Sequence, residues 1–181
     1  MKEKEFSPVL TKIKDLKPDL IYNTAYPQDG ALILKQAADL DINTKQMGSE
    51  GLDSTKGFLE VAGKAAEGVV ITTNLDRDSD VPITKNYLVE YEKKYGIAPD
   101  MTGASTYDAL LILIDAIKKV GTNSDKIVNE LRSMKGWQGV TGKIREFTKN
   151  GEVIKDVELQ VVKDGAFHRY GVVTDLAILT P

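Results

Sequence analysis

Short apolar runs alternate with helical patterns through the early part of this chain, and that alternation constrains the fold more than any other feature. Asp19-Leu20-Ile21-Tyr22-Asn23-Thr24 and Gly68-Val69-Val70-Ile71-Thr72-Thr73 are the clearest runs, with a shorter one near 45–48. The second is rich in β-branched residues, which suit a pleated, buried strand. The intervening segments carry apolar residues at helical spacing: Val9, Leu10, Ile13 and Leu16 in one, Leu32, Ile33, Ala37 and Leu40 in the next. Short strands separated by helices predict a parallel sheet with right-handed crossovers. The fold class expected is α/β, a three-layer Rossmann-like sheet flanked by helices.

Local signals refine the boundaries. Ser7 followed by Pro8 predicts a helix N-cap and first position, with Pro18 closing that helix. A helix is expected over about 30–40, and another opened by Ser54. The run 19–24 is expected to be a buried strand. After Asn74 the pattern turns mostly helical, at about 83–95, 105–120 and 125–134, the last capped by Ser124. The run Ala109-Leu110-Leu111-Ile112-Leu113-Ile114 is apolar nearly all round, which predicts a helix covered on most sides. From Val140 onward strands return at 143–147, 157–163 and 166–173, the last two joined by Asp164-Gly165, a strong two-residue hairpin signal.

Two loops follow predicted strands and precede helices: Thr24-Ala25-Tyr26-Pro27-Gln28-Asp29-Gly30 and Gly48-Ser49-Glu50-Gly51-Leu52-Asp53-Ser54. In an open α/β sheet, ligands settle beyond the carboxyl ends of the strands. The loops would bring an aromatic ring and a carboxylate together there, a pairing suited to a small cationic or zwitterionic molecule. Glu50 would accept charge-assisted hydrogen bonds from an ammonium group, worth roughly 1.5–3 kcal/mol. Tyr26 would offer its ring face, worth about 0.5–2 kcal/mol. Gly48 and Gly51 would allow loop geometry that other residues strain. The bland alternatives are a solvated loop carboxylate and a tyrosine closing a helix against the sheet.

Other chemistries find little support. A net charge of −3 and a pI near 5.3 supply no basic field for nucleic acid or anionic lipid. With no cysteine, disulfides, thiol nucleophiles and thiolate metal sites are excluded. Asp76, Asp78 and Asp80 alternate like the start of a calcium loop, but Val81 stands where the turn needs glycine and Tyr87 where a bidentate glutamate belongs. His168 has no nucleophile motif near it, and no phosphate-cradling glycine loop occurs. Trp137 suits a packing anchor. No cofactor, metal or catalytic residue is therefore expected. Met1 is followed by Lys2-Glu3-Lys4-Glu5, without the apolar stretch of a signal peptide, and the chain as given is expected to be soluble.

The segments Phe6 to Asp15, Tyr26-Pro27-Gln28-Asp29-Gly30-Ala31-Leu32-Ile33-Leu34-Lys35-Gln36-Ala37 and Gly48-Ser49-Glu50-Gly51-Leu52-Asp53-Ser54 resemble the branched-chain amino-acid binding proteins of ABC transporters. Ala66-Glu67-Gly68-Val69, Tyr91-Glu92-Lys93-Lys94-Tyr95-Gly96, Tyr107-Asp108-Ala109, Gly139-Val140-Thr141-Gly142 and Asn150-Gly151 continue the resemblance in family order. It implies a type 1 periplasmic-binding fold: a periplasmic or extracellular receptor of two α/β lobes that closes over an amino acid and delivers it to a membrane permease, without chemistry. It also implies ligand-binding roles for Tyr26, Glu50 and, more loosely, Thr102 in the loop before the apolar helix, where an N-terminal cap is the alternative.

Members of that family are about twice as long, and the absent half would lie ahead of Phe6. By resemblance, residues 1–74 form a second-lobe βαβ section, 75–148 a mostly helical first-lobe section, and 149–181 a hairpin returning to the second lobe. The chain is then expected to be a truncated or fragmentary member that repacks into one compact unit or exchanges elements with another copy as a homodimer. A ligand-sensing regulatory module of the same fold, acting through a protein partner, is the alternative function.

Overall fold

The computed structural model describes residues 5–180. The charged opening at 1–4, weighed above against a signal peptide, lies outside the described residues. The chain divides into two compact units: one runs through Thr73 and takes back Leu159–Tyr170, and the other comprises Asn74–Glu158 with the residues from Gly171 on.

The first unit is built on the parallel strands β1 (Leu20–Asn23), β2 (Lys45–Gly48) and β3 (Val70–Thr73). Their register sets Leu20 against Lys45, Asn23 against Gly48, and Gly48 against Ile71. The same sheet continues to β7 (Val157–Lys163) and β8 (Ala166–Val173), in the order β1-β2-β3-β7-β8. Asp164 and Gly165 both adopt left-handed backbone, φ 52° and 76°, as the tight hairpin between β7 and β8 requires.

Helix α1 (Ser7–Leu16) packs Leu10 against Ala37 and Ile42, with Phe6 and Ile13 alongside. Helix α2 (Pro27–Asp39) lays Ala31 and Leu34 over the main core, which includes Leu52, Phe58, Ala66, Ile71, Val162 and Phe167. The rings of Phe58 and Phe167 stack with centroids 6.3 Å apart. Between β2 and β3 the chain forms a 3₁₀ turn at Glu50–Leu52, a π turn at Thr55–Leu59, the short helix α3 (Glu60–Ala62) and a 3₁₀ turn at Gly63–Ala66.

The second unit holds α4 (Pro82–Tyr95), α5 (Met101–Val120), α6 (Ser124–Ser133) and a three-stranded antiparallel ribbon of β4 (Lys135–Gly139), β5 (Gly142–Phe147) and β6 (Val153–Lys155), with the short α7 (Leu176–Leu179) near the end. Two small cores serve it, one around Leu75, Ala104 and Val140, the other around Ile112, Met134 and Ile144.

Several expectations are corrected. Strand β1 is buried only at Asn23: Leu20 and Tyr22 are exposed because β1 is the last strand on its side of the sheet, with a neighbour only in β2. Helix α1 is capped at Phe6 without a side-chain hydrogen bond, and Ser7 is its first turn. Helix α2 starts at Pro27, where the fixed φ of proline suits the first turn. Asn123, rather than Ser124, caps α6 by accepting from the Lys126 amide at 3.1 Å. Helix α5 is covered on one face only: Ala104, Asp108, Ile112 and Ala116 are buried while Leu110 is 55% exposed. Strand β4 was not foreseen, since Gly136 and Gly139 break any alternation in Lys135-Gly136-Trp137-Gln138-Gly139. Trp137 sits in it, packed beside Ile144 and donating from its ring N–H to Asp115 at 3.1 Å.

Candidate functional site

Parallel strands put their carboxyl ends on one edge, so the paired ends Asn23 and Gly48 carry the two candidate loops side by side. The loops are bonded to one another: the Ser49 amide donates to the Asn23 carbonyl at 3.1 Å. Asn23 itself is buried, with its side-chain amide on the Gly30 carbonyl and its oxygen accepting from the Ala25 amide. It holds the first loop to the start of α2.

The second loop is set by Ser49 and Leu52. The Ser49 hydroxyl accepts from the Gly51 amide at 3.2 Å and starts the 3₁₀ turn. That turn drives Leu52, fully buried, into a slot left open by two glycines. A Cβ on Gly30 or on Gly48 would collide with the Leu52 methyl groups. A Cβ on Gly51 would come within 2.7 Å of the Ala25 carbonyl. The glycines of this loop therefore serve close approach rather than unusual backbone angles: neither Gly48 nor Gly51 has positive φ, which corrects the reason given for them above.

Tyr26 and Glu50 are brought to this one edge. Tyr26 is the N-cap residue of α2, extended at φ −73°, ψ 165°, and its side chain is 79% exposed. Glu50 begins the 3₁₀ turn and is exposed. The pair presents a ring and a carboxylate to solvent above the ends of β1 and β2. Asp53, at the end of the second loop, is buried and accepts from the Thr73 hydroxyl at 2.5 Å, tying that loop to the end of β3. Asn23, Leu52, Asp53 and Thr73 were not foreseen as supports; the only signal was their position inside or beside the quoted loops. A groove of about 700 Å³, lined among others by Leu20, Ile42, Lys45, Val70 and Tyr170, lies elsewhere on this unit, and neither Tyr26 nor Glu50 lines it.

Thr102 lies in the second unit, and not in a loop. It is the second residue of α5, exposed, and the cap belongs to Asp100, which accepts from the Gly103 amide at 2.7 Å.

A second concentration of polar groups occupies the interior of that unit. Asp108 of α5, 4% exposed, accepts from the Val140 amide at 2.8 Å, the Thr141 amide at 2.9 Å and the Thr141 hydroxyl at 2.6 Å. Lys155 donates to the Thr141 hydroxyl at 2.7 Å and to its carbonyl. Burial pushes the Lys155 ammonium down to about 8, against the raising influence of Asp108, Glu158 and Asp156. The group ties α5, the turn between β4 and β5, and β6 together. Its polar atoms satisfy one another, which suits a structural knot.

A sequence profile described as periplasmic binding protein matches residues 1–166. Among relatives, the Leu/Ile/Val-binding protein BraC3 of Rhizobium johnstonii is 30% identical over 68% of this chain and 33% of its own length. The Escherichia coli Leu/Ile/Val-binding protein is 32% identical over 60% of this chain and 29% of its own. Among solved structures, the leucine-binding protein LivK of Thermotoga maritima superposes with a TM-score of 0.85 and 32% identity over 95% of this chain and 49% of that one. The branched-chain amino acid binding protein LivJ of Streptococcus pneumoniae, in complex with isoleucine, gives 0.83 and 25% over the same shares. The chain thus spans about a third of the length of these relatives and about half of each solved chain. With a profile match over residues 1–166 and the α/β fold shared with these solved structures, this chain belongs to the periplasmic binding protein family.

Proposed function

We propose that this chain carries the ammonium-binding side of a branched-chain amino-acid receptor that serves an ABC transporter. The observation that carries the reading is the joint presentation of Tyr26 and Glu50 at the carboxyl edge of β1 and β2, on loops pinned by Leu52. In this reading Glu50 accepts from the α-ammonium group and the Tyr26 ring covers it, while the ligand is held without covalent change. A hydrogen bond to a charged group is worth about 1.5–3 kcal/mol, a substantial part of micromolar affinity. The unit with Tyr26 and Glu50 is assigned to the second lobe and Asn74–Glu158 to the first. Thr102 lies in the latter unit and is given no role. Release to a membrane permease, outside the cytoplasm, follows from the same reading, and both the leucine-binding and the isoleucine-bound relatives support a branched-chain ligand.

The test is a thermal-shift titration of the purified chain with leucine, isoleucine, valine and other amino acids, repeated on Glu50→Gln. A ligand at 100 times its Kd adds about 2.7 kcal/mol of stability. The expected result is a shift with one ligand class that the variant loses by roughly tenfold or more in affinity. A cooperatively melting chain that responds to none of them refutes binding by this chain, and an unchanged response in Glu50→Gln refutes the role of the carboxylate.

A further inference from the structure

A cavity of about 340 Å³ lies within the second unit, and Ala109 and Val153, both exposed, are among the residues that line it. The rest of its wall is of two kinds: Ile112, Leu131, Ile144 and Phe147 are apolar, while Asn74, Ser105, Asp108, Thr141 and Lys155 are polar. Asn74 and Ser105 bond to each other at 3.0 and 3.2 Å. Asp108 is engaged by the Val140 and Thr141 amides and by the Thr141 hydroxyl. Lys155 differs from these, because its Nζ donates to the Thr141 carbonyl and hydroxyl and to no carboxylate at hydrogen-bond distance among the described residues. Those two bonds use both N–H groups of a neutral amine and leave its lone pair free to meet a molecule in the cavity.

Desolvation favours that neutral form. Burial lowers Lys155 to about 8 against the raising influence of Asp108, Glu158 and Asp156, the last of which is paired with Arg145 at 2.5 Å. At pH 7.5 about a quarter of the Lys155 side chains are therefore unprotonated, against roughly one in a thousand for an ordinary lysine. A desolvated, unprotonated amine is the form in which lysine attacks a carbonyl carbon. The surroundings also select the reagent. Asp108, Glu158 and Asp156 repel an anionic one, such as an acyl phosphate, and the apolar wall favours a hydrocarbon tail. A volume near the lower end of the range for ligand pockets calls for a small molecule.

We propose that this cavity captures a small uncharged aldehyde with a short apolar tail, and that Lys155 condenses with it to a Schiff base. Nζ bonds to the carbonyl carbon as the C=O π pair moves to oxygen. The carbinolamine then loses that oxygen as water together with both Nζ hydrogens, and a C=N bond remains. No oxidant or reductant is consumed. The Thr141 hydroxyl accepts from Nζ and donates to Asp108 at 2.6 Å, which gives a proton leaving Nζ a path to a carboxylate. The tail lies against Ile112, Ile144 and Phe147. The inference concerns the second unit and does not depend on the solute held at the Tyr26–Glu50 edge.

The test treats the folded chain at pH 7.5 with a limiting dose of butanal, traps the imine with sodium cyanoborohydride, and locates the adducts by peptide mass spectrometry. Formaldehyde is run in parallel, as the same carbonyl without a tail. Lys155 should acquire butanal at least about tenfold faster than the exposed Lys118 and Lys126, with half its limiting rate near pH 8. Its preference over those two lysines should be larger with butanal than with formaldehyde. Ala109→Leu, at an exposed helix position on the cavity wall, should slow butanal capture at Lys155 by about threefold or more and leave formaldehyde capture unchanged. Labelling of Lys155 no faster than of Lys118 and Lys126, or only above the thermal midpoint, would overturn the proposal. Equal preference with the two aldehydes would overturn it as well, since Lys155 would then be a weakly basic amine without a cavity that selects its reagent. That comparison is made in the unaltered chain and stands even if the Ala109 variant does not fold.

Discussion

Replacing Asp108 with alanine should cost about 4 kcal/mol of stability. The carboxylate accepts two backbone amides, Val140 and Thr141, at 2.8 and 2.9 Å, in a site that is 4% exposed. Alanine leaves both donors buried without acceptors, at about 1–3 kcal/mol each, and takes the nearby opposite charge from the buried Lys155 ammonium. The Thr141 hydroxyl escapes most of this loss because it can rotate. Against a total stability of about 5–15 kcal/mol the change is large. For a chain of this size it should lower the thermal midpoint by about 8–16 °C. Asp108→Asn should lose about half as much: one oxygen keeps an amide, while the new NH₂ faces a donor. Thermal melts followed by circular dichroism give the midpoints, and hydrogen exchange at the Val140 and Thr141 amides shows whether the knot has opened. A midpoint that falls by less than about 3 °C, with those two amides exchanging as before, would refute the assignment of Asp108 as the acceptor that holds α5 to the ribbon.

Lys155 gives a pH signature. Its folded-state pKa is depressed to about 8, so above that pH the folded protein releases a proton that the unfolded chain holds up to its ordinary value. Stability should therefore rise with pH from about 8 to 10, by about 2 kcal/mol relative to Lys155→Met, as urea melts at pH 7.5 and 10 would show; a flat difference would contradict it. Burial raises Tyr87 to about 12, so its linkage has the opposite sign and lowers stability only above about pH 10, outside that window. Tyr87→Phe removes a buried hydroxyl without a partner and should stabilise the chain alone by about 1 kcal/mol at neutral pH; a loss of that size in urea melts would show that the hydroxyl is bonded. Gly48→Ala should cost about 2 kcal/mol through collision with Leu52, and Leu52→Ala in the same chain should recover part of that cost, whereas strictly additive losses would mean the two do not touch.

Backbone-driven features were legible in the sequence. Strands β7 and β8 match the expected spans residue for residue, because the Asp164-Gly165 turn that joins them is a local signal. The loop edge was legible for the same reason: strand, loop and helix follow one another within a few residues around Tyr26 and around Glu50. Burial was less so, because it depends on what the rest of the chain supplies. Tyr22 and Leu110 have the composition of core positions and stand exposed, one on a sheet edge and one on an uncovered helix face. Caps went astray by one residue where neighbouring polar side chains compete, as Asn123 and Ser124 do. The Asp108–Thr141–Lys155 knot joins positions more than thirty residues apart as well as neighbouring strands, and no local pattern announces it, although Tyr107-Asp108-Ala109 and Gly139-Val140-Thr141-Gly142 both stood out as motifs.

Leu52 seated between Gly30 and Gly48 separates two kinds of freedom in this molecule. Those three positions form a single heritable unit, since no member of the trio can be enlarged unless another shrinks. Tyr26 and Glu50 ride above them in open solvent, where their size and charge answer to no neighbour in the core. Substitutions at Tyr26 and Glu50 can therefore change the chemistry that this edge presents while leaving the Leu52 frame, and with it the stability of the unit, unaltered.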